Sequence, residues 1–202
     1  MKTLADVDDE LTGFLQSWFA QGREIPLGKK SNLKRVQWKE DPNETDILIQ
    51  SKNVDNCETL GATPLIVFDR GTAVVHHSTL KNRMSAKVTE NEETFLELMS
   101  VPYVAHCISI NDYMADMLAT VTSGVFWMYR DWFRPLGYHK LQIDGIGSPT
   151  ILYQEEAKTV AYDVPVRMTV RYNMHFTMRK MTDIVESYQD GMIVKDIGTE
   201  DI

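Results

Sequence analysis

The amino-acid sequence predicts an α+β fold in which a mixed, mainly antiparallel sheet packs on one long central helix, with an additional N-terminal amphipathic helix. Three patterns carry that expectation. Every even position from Val160 through Tyr162, Val164, Val166, Met168, Val170, Tyr172, Met174 and Phe176 to Met178 is apolar or aromatic, and the odd positions are mostly polar. A period of two puts the apolar set on one face of a strand, with the other face wet or paired with charged neighbours. Met114, Met117, Leu118, Val121, Val125, Met128 and Trp132 recur at steps of three and four, the spacing of one helical face. Leu4, Val7, Leu11, Phe14, Leu15, Trp18 and Phe19 repeat that spacing near the start of the chain.

Along the chain, Thr3 and Asp6 form a capping-box pattern ahead of the first helix, and Gly22 ends it. Its aromatic stripe must be buried, against its own domain or a neighbouring subunit. Residues 23–61 are mostly polar, with breakers at Pro26, Gly28, Pro42 and Gly61 and short strand candidates at 33–39 and 46–50. The helix and this irregular insertion make an N-terminal region, 1–61. An α/β core domain is expected over 62–179 and a C-terminal tail over 180–202.

Within the core, Pro64 opens the apolar run Leu65-Ile66-Val67-Phe68, Asp69-Arg70-Gly71 reads as a turn, and 72–77 completes a hairpin. Residues 78–93 read as a polar, exposed loop. Residues 94–110 alternate around Phe95, Leu96, Leu98, Val101, Tyr103, Val104 and Ile108, giving one or two strands with Pro102 at an edge or a break. Asn111 caps the central helix, Asp112 and Asp116 suit its positive end, and Gly137 closes it after Pro135. A strand over 138–143, a turn through Asp144-Gly145-Ile146-Gly147 and a segment over 149–155 lead to the long strand.

That strand is informative by its length. Nineteen residues at ~3.3 Å each span roughly 60 Å, against a diameter of about 40 to 45 Å for a compact domain of this size. It must bend, break or project, and Pro165, which cannot donate to a ladder, is the natural place for a bend or an exposed edge. If it projects, it offers a β edge to a neighbour.

Composition narrows the function classes. The chain has 202 residues, 43% hydrophobic and 25% charged, ordinary globular proportions. No apolar run approaches the roughly 20 residues that cross a bilayer, and Asp6, Asp8, Asp9 and Glu10 are unlike a signal peptide, so a soluble compartment is expected. A net charge of −8 argues against gripping nucleic acid, which needs cations to displace counterions. Lys29, Lys30, Lys34 and Arg35 read as a local solvated face. Cys57 and Cys107 are two reduced thiols, neither a disulfide framework nor a metal motif.

No nucleophile elbow, phosphate loop or His-Glu-x-x-His helix is present, and Gly145-Ile146-Gly147 lacks a third glycine and a following helix. His76 and His77 are adjacent on a strand and point to opposite faces. His106, His139 and His175 have no ligand spacing, so no metal or cofactor is expected. Asp163 with Glu155 and Glu156 reads as solvated acids rather than a catalytic carboxylate pair. Phe126, Trp127, Tyr129, Trp132 and Phe133 cover more than one helical face, so part of the set is core and the remainder suits an interface.

From these residues an assembly protein is expected rather than an enzyme. The order of elements over 62–178 resembles the tail terminator and neck (head-tail joining) proteins of tailed bacteriophages. The similar features are the strand Pro64-Leu65-Ile66-Val67-Phe68, the strand ending Cys107-Ile108-Ser109-Ile110, and Asn111 with the Met114/Met117/Leu118/Val121 helix face. A Leu136-Gly137-Tyr138 exit and a last run of alternating strands follow. The resemblance implies a virion structural protein without catalytic residues, forming a ring, usually of six subunits, that caps the tail tube and joins it to the head connector. DNA would pass the lumen unbound. Arg167, Arg171 and Arg179 on the polar side of the long strand, with Trp127 and Trp18, are the candidates for contacts between subunits. Two alternatives stand beside this: another neck or baseplate component, and, in a different class, a small-ligand-binding α/β enzyme module built from residues such as His76, Asp163 and His175.

Overall fold

The structure, a computed structural model, describes residues 3–26, 33–51, 63–76, 84–88, 92–154 and 159–179. In chain order its elements are α1 (Leu4–Ala20), β1 (Arg23–Pro26), β2 (Leu33–Val36), β3 (Leu48–Ser51), β4 (Leu65–Arg70), β5 (Val74–His76) and β6 (Met84–Val88). There follow β7 (Glu92–Ser109), α2 (Asp112–Tyr129), a 3-10 turn (Arg130–Leu136), β8 (Tyr138–Ile146), β9 (Thr150–Gln154) and β10 (Thr159–Arg179). Among the described residues the fold is mixed α/β, with two α-helices and a mostly antiparallel sheet of eight strands. β1 and β2 form a separate antiparallel pair.

β7 and β10 are the spine of the sheet. They pair antiparallel from Tyr162↔Ser109 to Arg179↔Glu92 without a register shift. The alternation read from the sequence is realised over the middle of β10: Val164, Val166, Met168, Val170 and Tyr172 are buried on one face, opposite Cys107, Ala105, Tyr103, Val101 and Met99, whereas Val160 is exposed and the side chains of Phe176 and Met178 lie outside the described ones. Along the outer edge of β7 lie β4, β5 and β6 in succession. Along the outer edge of β10 lie β9 and then β8. β3 adds to β4 in parallel.

This arrangement corrects several local expectations. No hairpin joins residues 65–68 to 72–77, because β4 and β5 both pair with β7, end to end, and Asp69 and Arg70 belong to the strand. The expected turn at 144–147 is instead mostly strand, since β8 runs to Ile146 along β10. The expected loop at 78–93 contains β6 on the β7 edge. The common cause is that a long strand presents a long row of unpaired N–H and C=O groups, which short segments satisfy in turn.

Nor do the prolines interrupt the spine. β7 continues through Pro102 and β10 through Pro165, with their mutual pairing intact on both sides. The Gly71 amide donates to the Pro102 carbonyl (2.9 Å), and the Gly147 amide donates to the Pro165 carbonyl (2.7 Å). In a strand, a residue's C=O and N–H point to the same side, so each missing N–H faces outward, away from the spine. There it meets a gap, between β4 and β5 for Pro102 and between β8 and β9 for Pro165. Glycine is needed opposite both rings: an added Cβ would lie 2.9 Å from Pro102 Cγ at Gly71 and 2.7 Å from Pro165 Cγ at Gly147.

Both helices lie on the buried face of the sheet, α1 against β3 and β4, α2 against β7, β8 and β10. The capping box forms: the Thr3 amide donates to Asp6 (2.6 Å) and the Asp6 amide to Thr3 Oγ1 (3.2 Å). α1 buries Val7, Leu11, Leu15 and Phe19. Asn111 Oδ1 accepts from the Met114 amide (3.2 Å), and α2 buries Met114, Leu118, Val125 and Phe126 with small Ala115, Ala119 and Thr122 close to the sheet. Ahead of Pro135 the helix narrows to the 3-10 turn, closed by Gly137 at φ 91°. One hydrophobic cluster runs from Val7 on α1 to Tyr172 on β10 and draws on residues either side of position 62.

The glycine–proline junction is directly testable. Gly147→Ala is expected to lower the unfolding free energy by about 2 kcal/mol, the cost of an overpacked contact. Pro165→Ala, which removes the struck ring atom, should cost less in that background than in the parent chain. Urea titration of the two single variants and the double variant reads this; an unchanged midpoint in Gly147→Ala refutes it.

Candidate functional site

Where α2 gives way to the 3-10 turn, the aromatic run divides by face. Phe126 and Phe133 are fully buried, whereas Trp127, Met128 and Trp132 are 60%, 61% and 52% exposed, with Tyr129 and Leu136 exposed beside them. Phe14 of α1 is the hinge of the cluster, with ring centroids 5.7 Å from Phe126, 4.9 Å from Phe133 and 5.1 Å from Trp132. Stacking of this kind holds the exposed rings in place from beneath. A split into core and surface aromatics is therefore found, but Met128 and Trp132, read from the sequence as part of the central helix's apolar face, are exposed where α2 ends and the 3-10 turn begins.

Two grooves flank the 3-10 turn. One, of about 440 Å³, lies between α1 and the turn and is lined by Phe14, Trp18, Tyr129, Trp132 and Leu136 with Glu10 and Arg23 at its rim. Trp18 is half-buried, edge-on to Phe19 at 4.8 Å, and the Arg23 guanidinium sits 4.6 Å over its ring. The other, of about 320 Å³, lies between the turn and β8 and carries Trp127, Arg130, Arg134, His139 and Lys140. Arg130 approaches the Trp127 ring (5.4 Å), and Arg134 Nε meets Asp131 Oδ1 at 3.1 Å. Exposed aromatic side chains clustered at one turn and rimmed by charge are the composition of a protein contact.

The arginine candidates lie elsewhere, on the opposite face of the sheet. Arg167 is exposed, opposite Val104 on β7 and Gly145 on β8. Arg171 is half-buried opposite Ser100 and Lys140, and its Nε finds no acceptor among the described residues. The backbone of Arg179 pairs with Glu92, and its side chain lies outside the described ones.

The scattered polar set is not brought together. His76 is exposed on β5 opposite Leu98, roughly 33 Å along β7 from Ile108, the partner of Asp163. Asp163 instead holds His106, with Nδ1 and Oδ2 2.7 Å apart, and its Oδ1 is buried without a partner among the described residues. The side chain of His175 and residues His77, Glu155, Glu156, Lys29 and Lys30 lie outside the described set. Among the described residues no group of three metal-ligating side chains occurs, and no helix is long and apolar enough to cross a membrane.

Sequence reading missed a buried polar tie beneath α1. Asp8 receives Arg70 Nη1 at 2.9 Å and the Tyr103 hydroxyl at 2.7 Å, and is 4% exposed. The available signal was an acid inside the apolar stripe, next to Val7 and one turn before Leu11. Burial, then the Asp8 hydrogen bond and charge, hold the Tyr103 phenol far above its ordinary range. Burial and then Glu10 do the same for Tyr138, and burial raises Tyr172. Burial pushes the Cys107 thiol up to about 12, against the opposing hydrogen bond with Thr122. Closed in this way, the tie locks α1 to β4 and β7 and offers no substrate access.

Two outcomes follow. Asp8→Ala leaves the part-exposed Arg70 guanidinium and the buried Tyr103 phenol without this acceptor and should cost about 2 kcal/mol, chiefly from the phenol, read by denaturant unfolding. Alkaline pH should also destabilise the fold. The unfolded Cys107 thiol ionises from its ordinary value of 9.0 while the folded one stays protonated to about 12, so its contribution is constant below pH 9 and declines above it. The slope is ~1.4 kcal/mol per pH unit for each such group, with the tyrosines adding above their own ordinary value. Cys107→Ala should flatten the fall between pH 9 and 10; an equal slope in both chains rejects the assignment.

No protein-family model matches the chain, and no curated protein matches it.

Proposed function

We propose that this chain is a virion assembly protein, a tail terminator whose subunits close into a ring that caps the tail tube and joins it to the head connector. The observation that carries this reading is the exposed Trp127, Met128, Tyr129 and Trp132 set, in which Trp132 packs on Phe14 and Phe133 and Tyr129 on Phe14, with grooves on either side. So much ordered aromatic area at one corner of a molecule is costly unless a partner covers it. The packing of α2 against β7, β8 and β10 supports this reading.

The sheet adds open β edges. Past Tyr172, no described strand pairs with the outer edge of β10, although β7 still pairs with its inner edge as far as Arg179. Such an edge suits strand-to-strand contact between subunits, with Arg167, Arg171 and Arg179 on the polar side for charged contacts. A net charge of −8 favours a lumen along which DNA slides without sticking. Six subunits, the tail tube protein and the head connector are the partners of this reading, and a different neck or baseplate position is its variant.

A second reading, a small-ligand module, has one observation in its favour: the His106–Asp163 pair, whose second carboxylate oxygen is buried without a partner among the described residues.

Native mass spectrometry and negative-stain imaging separate them. The purified chain should form a closed ring at micromolar concentration, and Trp127→Ala with Trp132→Ala should weaken assembly at least tenfold. Arg167→Glu should weaken it by a smaller factor. A monodisperse monomer indifferent to tail tube protein overturns the terminator reading, and a large thermal shift with a metal or metabolite supports the ligand module.

A further inference from the structure

The groove between the 3-10 turn and β8 differs from the rest of this acidic chain. Arg130, Arg134 and Lys140 converge there with His139, against the single carboxylate of Asp131, and Trp127 supplies an exposed apolar wall. Beside it runs β8, which pairs with β10 on one edge and has no described strand on the other. The groove thus offers positive charge, an aromatic surface and a strand edge side by side, the features by which an extended acidic peptide is recognised.

The chain itself contains such a peptide. Residues 180–202 carry Asp183, Glu186, Asp190, Asp196, Glu200 and Asp201 against Lys180 and Lys195, a net of −4 within a chain whose net is −8. Between those acids lies Met192-Ile193-Val194-Lys195-Asp196-Ile197, a β-branched, alternating segment suited to strand addition. We propose that this C-terminal segment of a second copy docks in the groove, with 192–197 added to the open edge of β8 and the acids at Asp190 and Asp196 set against Arg130, Arg134 and Lys140. Direction favours a second copy over the same chain. β10 passes Tyr138 and Lys140 at Tyr172 and Arg171 and then runs on seven residues to Arg179, roughly 23 Å further along the strand. To reach its own groove the segment would have to double back over that distance, which a second copy does not require. This step rests on the proposed self-association, and supplies it with a specific contact.

The test uses the full chain carrying the photo-reactive substitution Gln142→p-benzoylphenylalanine at the groove wall. Irradiation should give a cross-link between two chains that maps to 180–202. Arg130→Glu with Arg134→Glu should reduce its yield at least fivefold, and adding Asp190→Lys with Asp196→Lys should restore it to within twofold. Circular dichroism and thermal unfolding confirm that the exposed-site variants remain folded. A cross-link within one chain, to another segment, or indifferent to charge reversal overturns the proposal. A short DNA duplex that displaces the cross-link and itself binds through Arg130 and Arg134 overturns it in favour of nucleic acid. Native mass distinguishes the two readings: a ring without the tail cross-link sinks this inference and leaves the ring, and a monomer sinks both.

Discussion

The antiparallel pairing of β7 with β10 constrains every other element. Two strands of 18 and 21 residues, hydrogen-bonded to each other, leave two outer edges too long for single short partners. Each edge is therefore tiled, by β4, β5 and β6 on one side and by β9 and β8 on the other. Tiling creates a seam wherever one edge strand stops and the next starts. At such a seam a spine residue has no ladder partner for its N–H, and Pro102 and Pro165 occupy those positions, where a missing donor costs nothing. Gly71 and Gly147 complete the seams, each satisfying the proline carbonyl and leaving room for the ring.

This explains what was legible in the sequence and what was not. The alternation of Val160 to Met178 and the helical repeat from Met114 are local signals, because burial of one face imposes the same period on every residue of an element. Which strand pairs with which is a nonlocal matter. Asp69-Arg70-Gly71 and Asp144-Gly145-Ile146-Gly147 contain turn-forming residues, yet Asp69, Arg70 and residues 144–146 are strand and the breaks serve seams against prolines distant in sequence. Local composition cannot distinguish a hairpin turn from a seam. The same limit hid Asp8: an acid in an apolar stripe acquires meaning only when Arg70 and Tyr103 arrive from β4 and β7.

Those three residues show how α1 is joined to a sheet with which it shares little sequence proximity. The apolar row Val7, Leu11, Leu15 and Phe19 supplies nondirectional burial and would tolerate sliding along the sheet face. The two hydrogen bonds at Asp8 do not tolerate it, since a shift of one turn would strand a buried carboxylate and leave the Tyr103 hydroxyl unpaired. The tie thus fixes the register of α1, and with it the position of Phe14 beneath Trp132 and of Trp18 at the neighbouring groove. The exposed aromatic corner depends on this buried polar contact at the other end of the same helix.

The 3-10 turn converts that corner into two different surfaces. Trp127, Arg130 and Arg134 line the side toward β8, while Tyr129, Trp132 and Leu136 line the side toward α1. Phe133, at the turn's inward face, anchors it against Phe14, Phe126 and Tyr138. Pro135 and Gly137 enforce the change of helix and its end. The cationic groove is consequently separated from the apolar one by a single narrow turn, so charge and the β8 strand lie on one side of the turn and aromatic surface on the other.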